Sequence, residues 1–302
     1  MRALKYLFFV SLAAGLVACS DDGAVSDSTP LVDAPVTNPD GGTDGPIVYP
    51  DGPLPPDAGP AAALQVVIDK LTMPTSNTEY AKDLDGNGTK DNQLGGILGV
   101  MSTLGLDLQT ELDNQINSGA LSLLFEIFAD AITDATDAKL QFHLGAPLPT
   151  ANEYGIATAS PPNLVLDGAI VGGHYDGGPG TFTVPVPLGT TVMLSLEKAY
   201  VSADVTSTGM TNGLLNGAIP NTDVDQTLIP AIAQMMTDGM SQMPLLATFD
   251  ANKDGTISAD ELRNNALLKM ALAPDVDTDG DSKPDALSVG MAFTAKACTI
   301  KK

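Results

Sequence analysis

The chain has 302 residues, with 37 acidic side chains against 14 basic ones, and 31 of the acids are Asp against only 6 Glu. A formal charge of -23 excludes a nucleic acid partner and disfavours docking on anionic lipid headgroups, since both need clustered cations. Asp is the shorter ligand and the better turn residue, so the bias points to turns and cation sites rather than to solubility alone. A hydrophobic content of 43% supplies a core, while 22 Pro and 30 Gly imply many turns.

Arg2 and Lys5 precede an apolar run from Leu7 to Ala18, too short to cross a bilayer core of about 30 Å, so residues 1–18 read as a signal peptide. The run ends in Leu16-Val17-Ala18-Cys19, which resembles the lipobox of bacterial lipoproteins at all four positions. That resemblance implies diacylglyceryl transfer to the Cys19 thiol, cleavage before it and acylation of the new amine with a palmitate-type chain. Two or more acyl chains suffice for stable anchoring at about 0.8 kcal/mol per buried methylene. Ser20 stands where an Asp would favour inner-membrane retention, which points to the outer membrane and leaves open whether the body faces the periplasm or the outside. With Cys19 lipidated, Cys298 is the remaining thiol and no intrachain disulfide forms. Residues 20–60 hold eight Asp, nine Pro, six Gly and no basic residue. The segment 19–60 therefore reads as a disordered tether, with a coil span of roughly 35 Å.

The body from Ala61 divides into a β-rich part, 61–224, and a part with helical spacing and a closing strand, 225–302. Leu64, Val67, Ile68 and Leu71 recur at helical spacing, so 61–73 is expected to be a helix. Two weaker helices follow at 94–104 and 107–117. Residues 121–128 fit either period and are taken as a strand. Residues 139–144 alternate, with Leu140, Phe142 and Leu144 on one face and Gln141 and His143 on a polar one, and 163–171, 180–186 and 191–206 also read as strands. Pro185 and Pro187 mark an edge or a bulge. Helical spacing returns over 225–272, and Val289, Met291, Phe293, Ala295 and Ala297 keep phase in a last strand. The expected fold is α+β: an antiparallel, sandwich-like sheet body with N-terminal helices and a helical insertion before the last strand.

Three Asp clusters carry the chemistry. Asp250, Asn252, Asp254, Gly255, Thr256, Ser258 and Glu261 stand at the diagnostic positions of an EF-hand loop, which they resemble, with helical spacing on both sides. Calcium takes six to eight oxygens, and alternate residues of a tight loop aim theirs at one centre. The resemblance implies side-chain ligation by Asp250, Asn252 and Asp254, a carbonyl from Thr256, an oxygen from Ser258 and a bidentate Glu261. In the second cluster, Asp83, Asp85, Asn87, Thr89 and Asp91 follow the same register, but Leu94 occupies the place of the bidentate Glu. This shorter pattern is similar to the calcium loops of thrombospondin type 3 repeats. In the third cluster, Asp277, Asp279, Asp281 and Asp285 match Asp83, Asp85, Asn87 and Asp91, and a register starting at Asp275 also fits. Five carboxylates within 11 residues repel one another without a cation.

Other motifs are set aside. Ser195-Leu-Glu-Lys198 has serine-enzyme spacing but lies in a strand pattern, and Gly280-Asp281-Ser282 has no downstream His. His143 and His174 read as surface residues, and the methionines at 235, 236, 240 and 243 as core. No catalytic set emerges. The sequence therefore reads as a calcium-binding, lipid-anchored outer-membrane protein, not an enzyme, with calcium structural and the body an interaction or structural module. Its protein or surface-polymer partner is left open. The alternatives are a hydrolase or a carrier of apolar ligands in which calcium is structural.

Overall fold

The computed structural model describes residues 63–161, 164–188, 190–241 and 243–302. The expected signal peptide, the Cys19 anchor and the tether lie outside the described residues. Among the described residues ten strands form: β1 (Leu64–Thr72), β2 (Ser122–Phe128), β3 (Ala135–Pro147), β4 (Glu153–Ile156), β5 (Leu164–Val171), β6 (His174–Leu188), β7 (Thr190–Thr206), β8 (Gly209–Pro220), β9 (Ala286–Ala297) and β10 (Thr299–Lys301). Helices α1 (Gln93–Thr103) and α2 (Leu108–Ser118) separate β1 from β2. Between β8 and β9 come α3 (Asn221–Asp223), a π-helical turn (Val224–Leu228), α4 (Ile229–Gly239), a 3-10 turn (Pro244–Thr248), α5 (Ala259–Asn264) and α6 (Ala266–Ala271).

Eight strands close into an antiparallel barrel. Pairing runs β1, β2, β3, β5, β6, β7, β8, β9, and β9 returns to β1. The α+β sandwich expected from the sequence is thereby overturned. Two pairings decide it: β1 with β9, and the first part of β3 (Ala135 to Phe142) with β5. Together they remove the free edges that the two sheets of a sandwich would keep. Beyond Phe142, β3 changes partner, and Gly145 to Pro147 pair with β4. β10 joins β4 in parallel, and the flap so formed covers part of the outer wall, where Ile300 packs on Val67 and Leu124.

An eight-stranded barrel is just wide enough for side chains to fill. Phe125, Phe142, Phe182 and Phe293, from four strands, meet inside it with ring centroids 4.9 to 6.4 Å apart and tilted or edge-on planes. Each ring removed from water contributes about 1.5–3 kcal/mol. Gly213 makes room for this cluster, since a Cβ there would lie 2.6 Å from the Phe293 ring. The buried Tyr175 donates its hydroxyl to the Leu166 carbonyl at 3.0 Å. Apolar side chains thus point inward, the reverse of a barrel that faces lipid. Among the described residues no helix is long and apolar enough to cross a membrane.

The expected first helix is strand β1. The register of β1 against β9 shifts between Ile68 and Lys70, so Val66 and Ile68 point inward and then Leu71 does, three residues on. On the other face Val67 is buried under Ile300. A bulge plus a covered outer face imitates helical spacing. Pro185 and Pro187 lie where β6 has β7 on one side and has run past its pairing with β5 on the other, an edge where a missing N–H costs nothing.

Candidate metal centres

The three Asp-rich segments adopt one backbone design. In loop A (83–91), Asp83 accepts from Gly86 N at 2.7 Å and from Gly88 N at 3.0 Å, Asp85 from Asn87 N at 3.1 Å, and Asn87 from Thr89 N at 2.7 Å. In loop C (277–285), Asp277 accepts from Gly280 N at 2.7 Å and Ser282 N at 2.8 Å, Asp279 from Asp281 N at 3.0 Å, and Asp281 from Lys283 N at 2.8 Å. Both are closed by equivalent bonds, Asp91 N to the Lys82 carbonyl and Asp285 N to the Val276 carbonyl. Of the two possible registers the structure takes the one starting at Asp277. Asp275 turns away to accept from Ser288 N at 2.8 Å and from the Ser288 hydroxyl.

Loop B (250–261) repeats the design. Asp250 accepts from Asp254 N at 3.1 Å and Gly255 N at 2.9 Å, Asn252 from Asp254 N at 2.9 Å, and Asp254 from Thr256 N at 2.9 Å. Each loop reverses through two left-handed residues, at Gly86 and Gly88, Lys253 and Gly255, and Gly280 and Ser282. Glycine enters this region freely, which is why it recurs at these turns. In loop B the buried Ile257 anchors to Thr237 on α4, its N–H meeting the Thr237 hydroxyl at 2.8 Å. Ser258 and Glu261 form a capping box at the start of α5. The Glu261 carboxylate accepts from Asn252 N at 3.1 Å and from Ser258 N at 2.8 Å, so it lies across the loop between its third and ninth residues.

Loops A and C, 194 positions apart in register, sit side by side. Asp277 N donates to Asp85 Oδ2 at 3.3 Å, and Leu84, Val276, Ala218 and Ala286 form a small apolar base beneath them. The buried Asn92 ties the exit of loop A to β9, donating to the Gly290 carbonyl at 2.9 Å and accepting from Gly290 N at 2.9 Å. Lys198, on β7, donates to the Asp277 carbonyl at 2.9 Å. Burial, and then the neighbouring Asp275, Asp85 and Asp83, push the Asp91 carboxyl up. Asp275 is also pushed up, chiefly by burial, with Asp85 adding to it. By contrast, Asp277 is held down by the Gly280 N–H, Asp254 by its Thr256 partner, and Glu261 by the Ser258 N–H.

One carboxylate oxygen from each of Asp277, Asp279 and Asp281 lies within 4.8 Å of the others. Asp281 also meets Lys283 Nζ at 3.1 Å, and a cation held among the three oxygens would relieve their remaining repulsion. The two closing residues differ. Both Asp285 oxygens accept from Thr278, whereas Asp91 Oδ2 is buried with no hydrogen-bond partner among the described residues.

A second carboxylate centre was not anticipated. Glu126, fully buried on the outer face of β2, accepts from Gln65 Nε2 at 2.9 Å, pairs with His143 Nε2 at 2.9 Å, and meets Lys302 Nζ at 3.0 Å. Burial alone would raise its carboxyl, but the bonds from His143, Gln65 and Lys302 outweigh burial and hold it at about 2. His143 is thus buried, at 7% exposure, rather than on a surface face, because the C-terminal flap covers it. The signal was a lone Glu in the apolar strand Leu-Leu-Phe-Glu-Ile-Phe. His174 is exposed and pairs with Asp204 at 2.7 Å. Cys298 is partly buried, and burial pushes its thiol up to about 11, far from a reactive thiolate at neutral pH. Comparison with protein-family models, with curated proteins and with solved structures gives no match.

Proposed function

We propose that this chain is a calcium-binding lipoprotein, anchored through Cys19 in the outer membrane, in which calcium organises the rim of a barrel that serves as an interaction or structural module. The observation that carries the reading is the common design of the three loops, with alternate side-chain oxygens gathered in a turn of two left-handed residues. Hard oxygens in this number suit calcium, and exposed loops of this kind suit the roughly 10⁻⁴ to 10⁻³ M affinities of extracellular modules. At such affinities the ion is a structural component outside the cytoplasm rather than a signal. The lipid anchor follows from the lipobox resemblance, and the tether holds the body off the bilayer.

Calorimetric titration of the full chain with calcium tests this. Three ions are expected, and Glu261→Gln weakens one site about tenfold while leaving two. Absence of saturable calcium binding at millimolar concentration would sink the proposal.

A further inference from the structure

Between the inner wall of the barrel and the helices α1 and α4, packing leaves a cavity of about 70 Å³. All the residues around it are apolar, among them Ile97, Met101, Leu196, Leu228, Met235 and Met291. Three further side chains, Met73, Leu98 and Leu108, line this cavity and also a second, open cleft of about 530 Å³. The three are only partly buried, so they stand as a junction between a dry chamber and a wet one. The polar residues lining the cleft are Thr72, Thr75, Ser102, Asp107 and Gln109, and among the described residues no Lys, Arg or His lines it.

We propose that the two spaces together bind a single-chain amphiphile with an uncharged, hydroxyl-bearing head, the tail entering the apolar cavity past Leu98 and the head lying in the cleft. A wholly apolar chamber rewards hydrocarbon and offers nothing to a polar group. The head is assigned by charge. Hydrogen bonds from Thr110 keep Asp107 ionised, and with no cation in the cleft an anionic head would be repelled. The cavity is smaller than the roughly 150 Å³ that holds benzene, so the tail must move side chains aside. Met73, Met101, Met235 and Met291 are the flexible residues that allow it. A π-helical turn ends at Leu228 on the cavity wall, the kind of local irregularity common at functional sites. This site is independent of the calcium loops.

The full chain is titrated calorimetrically with 1-monooctanoylglycerol and, in parallel, with octanoate. One glyceride binds per chain and octanoate binds at least tenfold more weakly. Each methylene added to the tail tightens binding about fourfold until the cavity is full. Leu98→Trp, which plugs the junction, weakens glyceride binding at least tenfold. Gly99→Arg places a cation in the cleft at a position where an added Cβ meets nothing within 4 Å, and raises octanoate affinity. The proposal is overturned if the glyceride does not saturate, if octanoate matches it in the unaltered chain, or if a folded Leu98→Trp binds as before. Should that variant not fold, an unchanged octanoate affinity in Gly99→Arg overturns it.

Discussion

The protein holds carboxylates in two opposite ways. On the outer wall, Glu126 is stripped of water and its charge is met wholly by protein groups, a histidine, an amide and a lysine from the end of the chain. On the rim, the Asp residues of loops A, B and C are met mainly by backbone N–H groups and short polar side chains, with Lys283 on Asp281 at 3.1 Å and Arg263 on Asp260 at 2.7 Å as counter-charges, so most of their net charge is left standing. The first arrangement is complete without a ligand. The second gathers charge that few protein cations meet, which is the feature the proposed calcium sites rest on. Charge density alone therefore does not distinguish the two regions; the share of it met by internal counter-charge does.

If the rim needs cations, calcium should produce the largest change in stability. With dissociation constants of about 1 mM, 10 mM calcium adds about 1.4 kcal/mol per site, or about 4 kcal/mol for three, and raises Tm by roughly 8–16 °C. Scanning calorimetry in chelator and in calcium measures this, and an unchanged Tm would remove the contrast between the two regions. The wall should not respond to calcium but to acid. The Glu126 carboxyl is held at about 2 against an ordinary 4.5, so its contribution is fully present above pH 4.5 and is lost as the pH falls towards 2. That contribution is about 3 kcal/mol. Glu126→Gln should lose a similar amount at pH 7, because His143 and Gln65 are left without their ionised partner, and its urea midpoint should fall less steeply between pH 5 and pH 2. Equal acid limbs in the two proteins would place the acid sensitivity elsewhere. The smallest effect is expected at Ser258→Ala, which removes the cap of α5 and one support of Glu261. It should cost about 1 kcal/mol in the absence of calcium and more in its presence, read from paired urea titrations.

Much of the rim was legible because its contacts are local. The side chains that shape loop B lie within twelve positions of one another, and the turn residues Gly86, Gly255 and Gly280 announce the left-handed backbone on which the loops depend. What could not be read there is the pairing of loops A and C. It rests on Asp85 meeting Asp277 and Asn92 meeting Gly290, contacts nearly two hundred residues apart. The choice between Asp275 and Asp277 as the start of loop C was likewise open until Ser288 of β9 was seen to occupy Asp275.

The wall shows the reverse. Strands β5, β6, β7 and β9 were legible from alternation, since each needs only a pattern of period two with one face inside, whereas β8, buried in blocks along Gly209–Pro220, carried no such signal and was not expected. β1 and His143 were misread for one reason: the flap of β4 and β10 buries part of the outer surface, so the polar face that alternation presumes is absent there. By itself the sequence determined the turns, the register within loops A and B and the existence of most strands, because those depend on neighbours along the chain. Closure of the barrel through β1 with β9 and β3 with β5, the burial of Glu126 beneath Lys302 and the meeting of loops A and C were decided only by the tertiary structure. The energies responsible, the edge hydrogen bonds and the desolvation of a charge, arise between segments whose separation in sequence leaves no local pattern.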